Sequence, residues 1–212
     1  MRGKYISFEG TEGCGKSTQA KMLYERMLRE DYPAVLTKQP GGTPVGVRIR
    51  EILLDPSLKG EDGLLPEVES LLFAADRYQH RNTLVKRNIK KGISVITDRE
   101  RDSTWAYQFF GRGVDERFMH TIHDLIEEGL APDITFWYDG PVEHFLNRAY
   151  KRNAETGIVS RFDDEMVPFH QRVRDGFMRL SEQYPERIIR LDGTLPVDVL
   201  HEMTWNYFSS RI

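Results

Sequence analysis

The sequence predicts an α/β protein: a doubly wound parallel sheet with helices covering both faces. Three observations carry this. Five short apolar runs recur at KYISFEG (4–10), AVLTKQ (34–39), ISVITD (93–98), ITFWYD (134–139) and RIIRLDG (187–193). They read as continuous apolar stretches, as parallel strands buried on both faces do. Longer amphipathic segments fill the gaps between them. Pro44, Pro66, Pro141 and Pro196 stand where several of those segments begin, at first-turn positions where a missing N–H costs nothing.

Taken in order, the first strand runs into GTEGCGKST, Gly10 to Thr18, and then a helix over about 16–30. The second leads to a Pro-Gly-Gly turn and helices over 44–54 and 66–91. The third ends in Asp98 and precedes helices over 102–111 and 115–129. The fourth is followed by helices over 141–153 and 164–184, the fifth by one over 196–209. In such sheets ligands gather at the carboxyl ends of the strands. Every motif below falls at such an end or in a loop that reaches one.

Gly10, Gly15, Lys16 and Ser17 fit the phosphate-loop pattern G-x-x-x-x-G-K-[ST]. The glycines let backbone N–H groups turn inward toward phosphate oxygens, and the following helix adds its positive end. Lys16 is expected to reach the β/γ phosphates and Ser17 to ligate Mg²⁺. Asp98, a carboxylate closing an apolar strand, supplies the second metal position, directly or through water; an aspartate capping the next helix is the plainer alternative. The expected fold is therefore the P-loop NTPase fold. GTPase switches carry N-K-x-D and transporter motors L-S-G-G-Q; neither occurs in this chain.

Composition bounds the rest. The chain has 212 residues, suited to a single domain or one with a small insertion, with 39% apolar and 30% charged residues. No apolar run approaches the ~20 residues of a membrane span, and the N-terminus shows no signal-peptide pattern. A lone cysteine, Cys14, excludes an internal disulfide framework, and a cytoplasmic location is expected. The net charge of −3 argues against a nucleic-acid partner.

Read together, FEGTEGCGKST, TKQPGGTPVG, FAADR, DRERDSTWAYQ and NRAYKRNAETGIVSRF, in this order along nearly the whole chain, resemble the thymidylate kinase family in its bacterial form, with basic residues in the lid. The resemblance implies a five-stranded parallel sheet with a short lid (about 148–162), transfer of the γ-phosphoryl of ATP to dTMP, Mg²⁺, and a homodimer. Gly10, Thr11, Glu12, Gly13, Cys14, Gly15, Lys16, Ser17 and Thr18, with Arg148, form the implied ATP site. Lys38, Gln39, Arg50, Phe73, Arg77, Arg99, Thr104, Tyr107 and Gln108 form the implied dTMP site. Within it Arg99 and Arg50 face the monophosphate, although Arg48 is an alternative to Arg50. Phe73 stacks on the base; from its LLFAA context alone it reads as a core aromatic. Arg77 donates to the 4-carbonyl, and Gln108 pairs with the base edge. Glu12 sits where the family keeps an acid near the acceptor sugar or metal.

The acceptor is itself a phosphate, with a second pKa of ~6, so it needs no general base. What the reaction needs is two aligned anions and cations over the transferring group. Lys16 and Arg99 are two of these. The family position that carries Arg inside the phosphate loop in some members is Gly13 here, so the lid must supply the remaining cation. Arg148, Lys151 and Arg152 share a helix face. Arg152 is expected at the γ-phosphate, with Arg161 as second candidate and a salt-bridged Arg161 as the structural alternative.

The chain departs from the family at two places. Lys38–Gln39 replaces Arg-Glu, and Glu100 follows Asp98–Arg99 where an aromatic or His is usual. Glu100 is expected to put a negative charge beside the monophosphate, and the pair of changes to loosen the acceptor pocket toward dUMP or a 5-substituted base. Two other classes stay open at this stage. A deoxynucleoside kinase would need a carboxylate base, Glu12 or Glu9. A nucleotide-binding regulator would show no turnover.

Overall fold

A computed structural model of the chain describes residues 2–60, 63–127, 129–157, 161–162 and 165–211, with 127 described by its backbone only. Five parallel strands, β1 (Tyr5–Glu9), β2 (Ala34–Lys38), β3 (Ser94–Asp98), β4 (Ile134–Asp139) and β5 (Ile188–Asp192), form one sheet in the order β2-β3-β1-β4-β5. Each lies within two residues of its sequence expectation. The chain runs to one side of β1 through β2 and β3, then crosses to the other. The crevice beyond the carboxyl ends of β1 and β3 is the switch point of this topology.

Helices α1 (Lys16–Arg29), α2 (Pro44–Leu54), α3 (Pro66–His80), α4 (Lys86–Lys90), α5 (Arg101–Thr104), α6 (Glu116–Glu127), α7 (Val142–Thr156), α8 (Val167–Gln183) and α9 (Val197–Ser209) cover the sheet. Pro44 and Pro66 open their helices, while Pro141 and Pro196 stand one residue earlier, at the N-cap. The long helix expected over 66–91 is interrupted by a π-helical stretch, Arg81–Val85. The segment expected as a helix over 102–111 becomes π-helical from Trp105 to Gly111. The wider turn re-aims the side chains it carries, and such turns cluster at functional sites. Tyr107 and Gln108 lie on this one. Residues 158–160 of the expected lid, 128 of the helix expected over 115–129, and 164 of the helix expected over 164–184 lie outside the described residues.

Alternation along β4 divides the core. Phe136 and Tyr138 face a layer with Leu23 and Met27 of α1, Phe145 of α7 and Leu200 and Phe208 of α9. Trp137 faces the opposite layer, with Trp105 and with Phe169, Val173 and Phe177 of α8. At ~25 cal/mol per Å² of apolar area, burying each of these large side chains stabilises the fold by roughly 1.5–3 kcal/mol. The sheet ends that carry the site are thus held from both sides.

Candidate active site

The phosphate loop leaves β1 at Glu9 and enters α1 at Lys16. Gly13 and Gly15 hold φ of +80° and +94°, the left-handed region that costs other residues strain. Gly13 is constrained doubly, because a Cβ there would lie 1.9 Å from the Phe145 carbonyl oxygen of α7. No side chain fits at that position without moving α7, so the loop cannot carry the arginine that Gly13 replaces. Lys16 Nζ donates to the Thr11 carbonyl at 3.2 Å, inside the loop. Ser17 Oγ donates to Asp98 Oδ2, bringing a hydroxyl and a carboxylate together at the mouth of the loop. Two hard oxygen donors beside a phosphate cradle suit Mg²⁺, which is bound through one or two protein oxygens plus substrate phosphates. Cys14 is buried, and burial pushes its thiol up.

Beside this loop opens a cleft of ≈350 Å³. Glu12, Lys16, Ser17, Lys38, Gln39, Arg50, Phe73, Arg77, Asp98, Arg99, Thr104, Tyr107, Gln108 and Arg152 all line it. The other expected ATP residues, Gly10, Thr11, Gly13, Cys14, Gly15 and Thr18, lie along the loop. Arg148 also lies outside the cleft, but its guanidinium is 3.7 Å from where a Cβ of Gly15 would stand, so it sits over the loop.

Arg99 is the best-anchored cation. Its φ of +71° turns it off the end of β3. It donates to Glu12 Oε1 at 2.8 Å, the Tyr107 hydroxyl at 3.0 Å and Ser103 Oγ at 2.9 Å. Tyr107 in turn donates to Glu12 at 2.7 Å, and His170 Nδ1 lies 3.4 Å from the same carboxylate. Burial would raise Glu12, but Arg99, the His170 contact and Lys16 outweigh it and hold the carboxyl well below its usual range. Burial likewise opposes the Arg99 charge, and Tyr107 and Glu12 overcome it, so Arg99 stays fully protonated.

Arg50, not Arg48, faces the cleft. Its NH1 donates to the Pro40 carbonyl at 2.9 Å, closing the Pro-Gly-Gly turn, which Asp76 also pins through the Gly41 N–H at 3.0 Å. Arg48 is 80% exposed and pairs with Glu51 one turn away. Lys38 is exposed at the cleft edge.

One expectation is corrected, and for Arg161 the salt-bridged alternative is the one found. Glu100 does not project a charge beside Arg99. It turns inward, fully buried, accepting from Arg81 Nε at 2.9 Å and Tyr5 at 3.1 Å, with Arg77 Nε at 3.6 Å. Burial would raise it, but Arg81 and then Arg77 pull it down to about 2. The physical reason is that a buried guanidinium pair needs a carboxylate more than a solvated phosphate site does. Arg161 is not a cation over the phosphates. It is buried, donating to the Leu53 carbonyl at 3.2 Å and to Glu69 Oε2. Arg152 does line the cleft, on α7, with its guanidinium against Asn153 Oδ1 at 3.0 Å.

The base-side residues also converge. Phe73 is half-buried, its ring 6.2 Å from that of Phe162. Arg77 donates to Thr104 Oγ1 and, at 3.4 Å, to Gln39 Oε1. Gln108 Nε2 donates to Glu69 at 2.6 Å. Glu69, Ser103, Phe162 and His170 escaped the sequence reading. Ser103 stands inside DRERDSTWAYQ and was within reach; Glu69 reads only as a first-turn acid of α3.

A phosphate loop at a sheet switch point, a Ser–Asp oxygen pair and an arginine-rich second anion subsite define a P-loop phosphotransferase that works on two phosphorylated nucleotides. Residues 8–204 match the family model described as thymidylate kinase. The chain is 38% identical to the thymidylate kinase of Acaryochloris marina, across 100% of this chain and 98% of that one. It is 41% identical to that of Trichormus variabilis, with the same coverage. The crystal structure of thymidylate kinase from Ehrlichia chaffeensis superposes with a TM-score of 0.77 at 30% identity, covering 98% of this chain and 100% of that chain. The chain belongs to the thymidylate kinase family.

Proposed function

We infer that the chain transfers the γ-phosphoryl group of ATP to dTMP, giving dTDP and ADP. One observation carries the reading best: a single cleft joins Lys16 and Ser17 of the phosphate loop to Arg99, Arg50 and Lys38 on the far side. A site with cations at both ends suits an anionic donor and an anionic acceptor.

In this reading Lys16 and the loop N–H groups hold the β and γ phosphates of ATP. Arg99 and Arg50, with Lys38, hold the acceptor phosphate. Ser17 and Asp98 would hold Mg²⁺, which supplies charge neutralisation across the phosphates when bound. No residue has to take a proton, because the acceptor is already mostly dianionic at pH 7. The work of the protein is alignment and electrostatic cover. Arg152 supplies the remaining cation, carried by a lid over about 148–162 that excludes water on closing. Phe73 stacks on the base, Arg77 meets its 4-carbonyl through Thr104-oriented donors, and Gln108 meets the adjacent ring position. Gln39 and Glu100 both act on Arg77, so their effect falls on base recognition, not on the acceptor phosphate.

A deoxynucleoside kinase fits less well. It needs a carboxylate free to take a hydroxyl proton. Glu12 is engaged by Arg99 and Tyr107 and held too acidic to act as a base. Glu9 is buried and bonded to Ser103 and the Glu100 N–H. Steady-state ADP release with dTMP, dUMP, 5-hydroxymethyl-dUMP and thymidine as acceptors tests both readings.

We further propose a homodimer. Val45, Leu71, Tyr78 and Leu125 of α2, α3 and α6 are exposed around one shallow apolar groove, a face suited to a second copy of this chain. Sedimentation equilibrium at micromolar concentration checks it, and a monomer there removes the proposal. No helix among the described residues is long and apolar enough to cross a membrane. A cytoplasmic location accords with the use of ATP.

A further inference from the structure

Glu69, at the first turn of α3, is fully buried, and three side chains from distant segments converge on it. Gln108 Nε2 donates to Oε1 at 2.6 Å, Arg112 Nε approaches the same oxygen at 3.5 Å, and Arg161 donates to Oε2. Two guanidinium groups thus pair with this carboxylate from both sides. A carboxylate only accepts hydrogen bonds. The carbonyl end of the Gln108 amide therefore cannot face it, and the amide nitrogen must. The orientation follows from chemistry, whichever way the near-identical amide atoms are drawn.

With one amide N–H held by Glu69, the Gln108 amide is fixed in orientation and its carbonyl oxygen is the acceptor it offers the cleft it lines. The neighbouring Arg77 offers only donors. The cleft thus presents an acceptor from Gln108 and donors from Arg77, both of which line it. A 4-oxo pyrimidine has the complement, an N3–H donor beside a carbonyl acceptor. A 4-amino pyrimidine has the reverse, and meets acceptor with acceptor and donor with donor.

We propose that Glu69 is a positioning residue that sets base specificity: by fixing the Gln108 amide it selects 4-oxo over 4-amino pyrimidine nucleotides. The inference rests on the reading of the cleft as a pyrimidine monophosphate site. Arg112 and Arg161 serve it by compensating the buried carboxylate. An amide in place of that carboxylate can donate as well as accept, so it releases the Gln108 amide to rotate.

The test compares kcat/KM for dTMP and 5-methyl-dCMP, which differ only at the edge in question. The expected ratio in the wild type strongly favours dTMP. Glu69→Gln should lower that ratio roughly tenfold or more, the scale of one mispaired buried hydrogen bond, with the change in KM and little change in kcat for dTMP. Glu69→Gln combined with Gln108→Glu should restore the ratio, since the exchanged carboxylate again presents an acceptor to the cleft while the exchanged amide donates to it from behind. An unchanged ratio in a folded Glu69→Gln enzyme overturns the proposal. If wild-type enzyme ignores dTMP altogether, the functional reading fails first and this inference with it. A measurement on the wild type is independent of whether the variants fold. The ¹⁵N-labelled Gln108 side-chain amide should show an exchange-protected proton that stays protected when dTMP is added. A freely exchanging amide, or one whose bonded proton transfers to the nucleotide, overturns the proposal as well.

Discussion

Gln39 and Glu100 meet at the hydroxyl of Tyr5, which accepts from Gln39 Nε2 at 3.3 Å and donates to Glu100 Oε1 at 3.1 Å. Both also touch Arg77. The two positions where the sequence departs from its family are therefore one site, and one carboxylate serves it from position 100. Glu100→Gln leaves Arg81 and Arg77 buried without that charge, and should cost about 3–5 kcal/mol in urea unfolding. Adding Gln39→Glu to that variant should recover more than half of the loss. Gln39→Glu alone, with two carboxylates about one hydroxyl, should destabilise. Additive effects in this cycle would show that the pair is not coupled.

His80 lies on the same network. Its Nδ1 accepts from Gln39 Nε2 at 2.9 Å and its Nε2 contacts Thr37 Oγ1 at 2.9 Å, an arrangement that needs the neutral ring. Burial pulls its pKa down to about 4. Because the folded value lies below the unfolded one, its contribution is complete above pH ~6.5 and is lost as pH falls toward 4. Glu100, also depressed, adds a second loss below pH ~4.5. Burial raises Glu9 to about 8 and stabilises the fold as pH falls over the same range, so the His80 effect is read as a difference. Between pH 7 and 4.5 the urea-unfolding stability of wild type should fall relative to that of His80→Gln by a slope approaching ~1.4 kcal/mol per pH unit, and parallel profiles of the two would count against the neutral-ring assignment.

Arg152 and Arg161 should separate cleanly. Arg152→Ala should lower kcat by about 10²–10³-fold with little change in thermal stability, the scale of removing one transition-state donor. Arg161→Ala should lower the melting temperature, because it removes one of the two guanidinium groups that compensate buried Glu69. Gly13→Arg should not rescue Arg152→Ala, since its Cβ would meet the Phe145 carbonyl. A rescue would mean that α7 moves aside.

Arg50→Ala should raise KM for dTMP roughly tenfold or more, as loss of one charge-assisted phosphate contact does. Arg48→Ala should leave both kcat and KM unchanged. Equal effects of the two would contradict the assignment of Arg50 to the cleft.

These contrasts show what the sequence could reveal. Strands and phosphate loop were legible because continuous apolar runs and a glycine-lysine pattern are local signals. Arg50 and Arg48 were not separable, since two residues apart on a helix they differ only in which neighbour each meets. Phe73 reads as core from LLFAA and is half core, half cleft wall. Glu100 misled because a charge beside a motif reads as part of it, and for Arg161 the sequence left the lid cation and the salt bridge equally open. Their partners, Arg81 and Glu69, lie far away in sequence and become neighbours only through tertiary packing. The π-helical turn under Tyr107 and Gln108 leaves no mark in the hydrophobic period.

The central claim, phosphoryl transfer between two anions held in one cleft, is tested most directly by ADP release from ATP with Mg²⁺, with dTMP or thymidine as acceptor, in wild type and Lys16→Ala. Turnover with dTMP, none with thymidine, and loss of turnover in Lys16→Ala is the predicted result. Turnover with thymidine but not dTMP, or full activity in Lys16→Ala, would contradict it.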